Sequence, residues 1–104
     1  MTENTASDQI NAVAAAMALL ASNPDLPAPA LSIENLFYSP EGRFLGWGLH
    51  LALHHGLHQF ELWRQALDIN PADVTDREPE GGVYWLRAYG TFGGVPVRLI
   101  GCPA

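Results

Sequence analysis

Lysine is absent from this 104-residue chain, and its five arginines stand against eleven acidic residues, for a formal net charge of -6. Such an acidic chain has no generic attraction for DNA, RNA or anionic lipid. The acids are scattered apart from a cluster at Asp73, Asp76, Glu78 and Glu80, which is too mild for a nucleic-acid mimic. Cys102 is the only cysteine, so an internal disulfide and a multi-cysteine zinc site are both excluded, and a reducing compartment is the expectation. Long apolar runs are lacking as well: residues 10–21, "INAVAAAMALLA", fall short of a bilayer span. The preceding "MTENTASDQ" has no lysine or arginine, unlike an export signal. These absences predict a cytoplasmic protein with no membrane association. No Gly-x-Ser-x-Gly occurs, and Cys102 lies two residues from the end of the sequence, so no nucleophile motif is present.

What is present suffices for one globular domain over 1–104, with 48% hydrophobic residues to offset the entropy of ordering. After a flexible N-terminus at 1–8, with Thr5 or Ser7 as N-cap and Asp8 in the first turn, apolar residues recur at Ile10, Val13, Ala14, Met17 and Leu20. That spacing predicts an amphipathic helix ending near Ser22. The Pro-rich stretch 23–30, "NPDLPAPA", forces an extended linker. Residues 31–38 read as a strand, and "SPEG" at 39–42 as a hairpin loop.

Residues 44–53 admit two readings. A helix would carry Gly46 and Gly48 in its interior at about 1 kcal/mol each and set His50 and His54 at a metal-friendly spacing. A strand places Leu45, Trp47, Leu49, Leu51 and Leu53 on one face without exception. The strand is favoured, and it separates His50 from His54 by roughly 13 Å, too far to share an ion. His54, His55 and His58 then mark the junction with a second helix over 57–69. There Leu57, Phe60, Trp63, Ala66 and Leu67 form one side and Glu61, Arg64 and Asp68 the other, before Asn70-Pro71 stops it.

After an acidic link at 70–82, strands at 83–92 and 95–101 flank Gly93-Gly94, a two-residue hairpin signal. In that register Phe92, Gly90 and Ala88 face Val95, Val97 and Leu99, while Trp85, Arg87, Tyr89, Thr91 and Arg98 occupy the opposite face. The whole predicts an α+β fold of order αββαββ: one four-stranded antiparallel sheet with both helices packed on one face.

Three features bear on function. Arg87 and Arg98 are diagonal neighbours about 7–8 Å apart on the face opposite the core. Their expected counter-ions are Asp73, Asp76, Glu78 or Glu80; the functional alternative is an anion or single-stranded nucleic-acid site flanked by Trp85 and Tyr89. The first hairpin is apolar on both faces. Leu36, Tyr38, Leu45 and Trp47 share one, and Leu31, Ile33, Phe37 and Phe44 the other, unless a bulge changes the parity or the linker covers the second face. Gly46 and Gly48 would let another chain approach closely.

The segments "NPDLPAPALSI", "FELWRQAL" and "GGVPVRLIG" resemble small proteins of actinobacteria and their phages and plasmids. That group has no assigned activity, so the resemblance implies an origin in such a genome or mobile element and carries no functional residue over. The residues themselves point to a small non-catalytic interaction module, a homodimer or partner binder, with no cofactor and no metal. Its surface would be drawn from Phe37, Phe44, Gly46, Gly48, Trp85, Arg87, Tyr89 and Arg98. The alternative is a metal-binding or enzymatic protein using the His50–His58 segment.

Overall fold

A computed structural model describes residues 5–38, 42–77 and 85–102. The expected hairpin loop at 39–41, Glu78, Glu80 and the start of the third strand at 83 lie outside the described residues, as do 1–4 and 103–104. So do the side chains of Asp76 and Arg77. The order is α1 (Ala6–Ser22), β1 (Ala30–Tyr38), β2 (Arg43–Leu53), α2 (Leu57–Ala66), a 3-10 turn at Pro71–Asp73, β3 (Thr75–Arg77), β4 (Trp85–Phe92) and β5 (Val95–Gly101). The N-terminal helix starts earlier than the flexible stretch 1–8 allowed. The Thr5 N–H donates to the Asp8 carboxylate at 2.9 Å, satisfying one of the donors that a helix start leaves open. The acidic link is not featureless either, since it holds the 3-10 turn and β3.

The α+β class and both helices on one face of the sheet match expectation, but the sheet is mixed rather than antiparallel throughout, and the three-residue β3 from the acidic link joins the four expected strands at one edge. The sheet order is β1-β2-β5-β4-β3, with β2 and β5 parallel and every other neighbouring pair antiparallel. Strands β1 and β2 pair antiparallel, as expected of a hairpin, and β4 pairs β5 in the expected register, Phe92 with Val95 through Ala88 with Leu99. What hairpin chemistry leaves open is how two hairpins adjoin. Here their second strands meet side by side with Leu49 opposite Val97 and Leu51 opposite Leu99. This puts the most apolar strand of each hairpin in the sheet centre.

The core lies between that centre and the helices. Leu49, Leu51, Leu53, Val97 and Leu99 meet Leu19 from α1 and Phe60 and Trp63 from α2, all within 1% of full burial. Gly90 and Gly101 admit Ile69 and Phe60, whose side-chain carbons lie 2.9 and 2.7 Å from where a Cβ would be. The linker is held over this helix layer by a 2.7 Å hydrogen bond from Trp63 Nε1 to the Pro27 carbonyl, so it does not cover the other face. Arg64, expected on the solvent side of α2, is buried. It donates to the Ile69 carbonyl at 2.7 Å and grips Glu61 through two hydrogen bonds, closing the C-terminal end of the helix.

Helix α1 departs furthest from expectation. Its buried side is Ala12, Ala15, Ala16 and Leu19, while Ile10, Val13, Met17 and Leu20 are exposed by 63, 49, 70 and 42%. Small residues let the helix settle close to β1 and β2, and the larger apolar stripe is turned outward.

Candidate interaction surfaces

The sheet face away from the helices is open, and its chemistry is built across three strands. Ser32 and Glu34 come from β1, His50 from β2 opposite Ser32, and Arg98 from β5 opposite His50. Arg98 Nε donates to His50 Nδ1 at 2.9 Å, and its Nη2 donates to Glu34 Oε1 at 2.9 Å. The Ser32 hydroxyl donates to the other Glu34 oxygen at 2.6 Å. Burial, reinforced by the Arg98 charge, pushes the His50 imidazole below its usual pKa, so it is neutral with its proton on Nε2. The Ser32 hydroxyl, with the Arg98 guanidinium behind it, holds the Glu34 carboxyl below the usual carboxylate range.

Serine, histidine and glutamate gathered this way invite comparison with a hydrolase triad, and the wiring differs. In a triad the hydroxyl donates to the imidazole and the imidazole donates to the carboxylate. Here the hydroxyl donates straight to the carboxylate and the imidazole accepts from an arginine. The cluster neutralises a cation and an anion on a sheet face. Among the described residues, no group of three histidine, cysteine, aspartate or glutamate side chains comes together to hold a metal. His54 instead packs edge-on against the Trp85 ring, 5.9 Å between centroids.

Arg98 therefore finds its counter-ion in the first hairpin rather than in the acidic link. Arg87 lies on the same face near His50 and makes no ion pair with a described side chain. Tyr89, opposite Arg98, donates from its hydroxyl to the Phe37 carbonyl at 3.0 Å and packs its ring 4.9 Å from that of Tyr38. These contacts cross the open face because the first hairpin bends. The β1–β2 register slips after Leu36, where Gly46 takes φ +96° and Leu45 is the extra residue. The bulge takes Leu36 off the face of Trp47 and Leu49 and onto the open face, where, fully buried, it closes against Gly48 and Pro96.

The two glycines thus serve the chain's own fold. Gly46 supplies a left-handed backbone, with nothing within 4 Å of its missing Cβ. At Gly48 the close approach is made by Pro96 of the same chain rather than by another. Phe37 and Phe44 face each other across the tip, centroids 5.1 Å apart and edge-to-face, and each is 52% exposed. Between the tip and the 67–75 segment runs a cleft of about 880 Å³ lined by Tyr38, Arg43, Tyr89 and Asp73 among others. The exposed α1 stripe cannot be recognised as surface from the sequence, because its spacing resembles that of a core stripe. No protein-family model, curated protein or solved structure matches the chain.

Proposed function

We propose that the chain is a small non-catalytic protein-interaction module, working as a homodimer or by holding a protein partner. The observation that carries this reading is where the large apolar side chains stand. Among the described residues seven of them are exposed, and six fall into two groups, Ile10, Val13, Met17 and Leu20 on α1 and Phe37 with Phe44 at the hairpin tip. Grouped apolar exposure is the mark of an association surface, whereas scattered exposure is ordinary. The two phenylalanines are held against each other before any partner arrives, which lowers the entropy cost of using them. The polar open face supports the same reading, since its Arg98, Glu34 and His50 are spent on one another. A cytoplasmic setting and an origin in an actinobacterial or phage genome belong to the same proposal.

The test is to compare wild type with Phe44→Asp for solution mass and for proteins co-purified from the native host. The charged variant should lose a bound protein or lower the mass while its circular dichroism is unchanged, because Phe44 supports no core. Association that is indifferent to Phe44→Asp and to charges on α1 would overturn the reading.

A further inference from the structure

We infer that the partner is a second copy of this chain, joined edge to edge through β1 so that two sheets become one and the two α1 helices lie side by side. This rests on the interaction reading above and supplies its occupant. Two independent features of one side of the molecule lead to it.

The first is the edge itself. β1 is the terminal strand, nine residues long, and among the described residues no strand pairs with its outer side. Natural edges are blunted by lysine, proline, inward charges or shortness. β1 has no lysine and no proline, and its one charge, Glu34, is held by Arg98 on the open face. The opposite edge of the sheet, β3, is three residues long and is protected by its shortness. The bulge after Leu36 turns only the tip away, leaving residues 30–36 as a straight edge of about 23 Å.

The second feature is α1, which is centred over β2 and reaches both β1 and β5, while α2 packs over β5, so α1 is the helix nearer the free edge. Ile10, Val13, Met17 and Leu20 are spaced three, four and three apart, the a/d repeat of a helix that meets another helix. The helix carries one charged residue, Asp8, so nothing on it selects a partner by charge, and a like stripe is its natural complement. At about 25 Å the helix is as long as the free edge. Strand spacing sets two α1 axes in the paired sheet roughly 14 Å apart, a gap for long side chains such as those of Ile10 and Met17 to fill.

A two-fold axis perpendicular to the sheet pairs residues of the same face. Centred on Glu34 it would set two carboxylates opposite each other, which is unfavourable. Centred on Ile33 it sets Ser32 opposite Glu34 and Leu31 opposite Asn35. A contact about 23 Å long through a sheet-and-helix layer roughly 20 Å deep buries on the order of 1,000 Å² in total, the size at which specific interfaces begin.

The full chain is to be weighed by sedimentation equilibrium over a wide concentration range, with hydrogen exchange read at both ends of it. Expected are a mass approaching twice 11.3 kDa and slow exchange, at high concentration only, of those amides in 31–35 that point away from β2. Val13→Glu with Met17→Glu, both on exposed positions, should weaken the dimer on the order of tenfold or more. If that double variant does not fold, the exchange of wild type on dilution decides alone. A dimer whose β1 amides exchange alike at both concentrations overturns the inference, and so does a chain that stays monomeric. A monomer that still captures a host protein through Phe44 leaves the interaction reading standing, and one that captures nothing removes both.

Discussion

Replacing Gly48 with alanine separates a glycine that serves folding from one that serves association. An alanine Cβ there would lie well inside contact distance of the Pro96 carbonyl oxygen and 2.8 Å from both Leu36 Cδ1 and Pro96 Cγ. The first of these is backbone of β5, which is pinned on both sides by its pairing with β2 and β4. Relief therefore requires the centre of the sheet to open by about an ångström, or the bent tip to lift off Leu36. Overpacking of this kind costs 1–3 kcal/mol, and a rigid backbone neighbour puts Gly48→Ala near the upper end, at about 3 kcal/mol. For a domain of this size that is a fall in melting temperature of roughly 12–24 °C. Gly46→Ala is the control. Its Cβ meets nothing, so only the positive φ is charged against it, about 1–2 kcal/mol. Urea denaturation of the three proteins gives the numbers. A loss below 1 kcal/mol for Gly48→Ala with secondary structure intact would refute the close approach of Pro96, and a larger loss at Gly46 than at Gly48 would invert the reasoning.

Two further outcomes follow from single residues. His50 has a folded pKa below its ordinary value near 6.5, so in the acid range the unfolded chain binds the proton first and stability falls as pH drops through that window. The depressed Glu34 acts in the same direction at lower pH. Denaturation midpoints measured from pH 7.5 to 5 should fall more steeply for wild type than for His50→Gln, and equal slopes would exclude a buried neutral imidazole. Asp68 ends α2 in the left-handed region at φ 55°, where glycine is the usual residue, so Asp68→Gly should stabilise by about 0.5–1 kcal/mol in thermal melts. A destabilised variant would mean that the Asp68 carboxylate has a role the backbone does not reveal.

The elements were legible in the sequence because each is written in local chemistry. Alternation at 44–53 against two interior glycines decides strand over helix, and Gly93-Gly94 fixes the β4–β5 register residue by residue. The parallel β2–β5 pair was not legible, since no turn connects those strands and their order depends on which strand of each hairpin is more apolar. The inverted face of α1 has a related cause. Periodicity marks the larger residues as a stripe, but a helix rich in alanine has two apolar faces. The smaller one wins wherever close approach to a sheet outweighs the area that larger side chains would bury.

The polar cluster shows the same division between local and distant information. Strand parity puts Arg98 on the open face, and hairpin pairing puts Ser32 beside His50. Only the adjacency of β2 and β5 brings the two hairpins' polar rows together, so that Arg98 meets Glu34 across 64 positions of sequence. That adjacency also leaves β1 at the rim. Were the hairpins joined through β1 instead, Leu49, Leu51 and Leu53 would lie in the outermost strand, where core packing is thinnest. Placing β2 inside buries the leucines and leaves outside a strand whose open face is largely polar and whose backbone edge is free to pair. The exposed helix above it is then a consequence of the same topological choice, because α1 must sit over the hairpin that follows it.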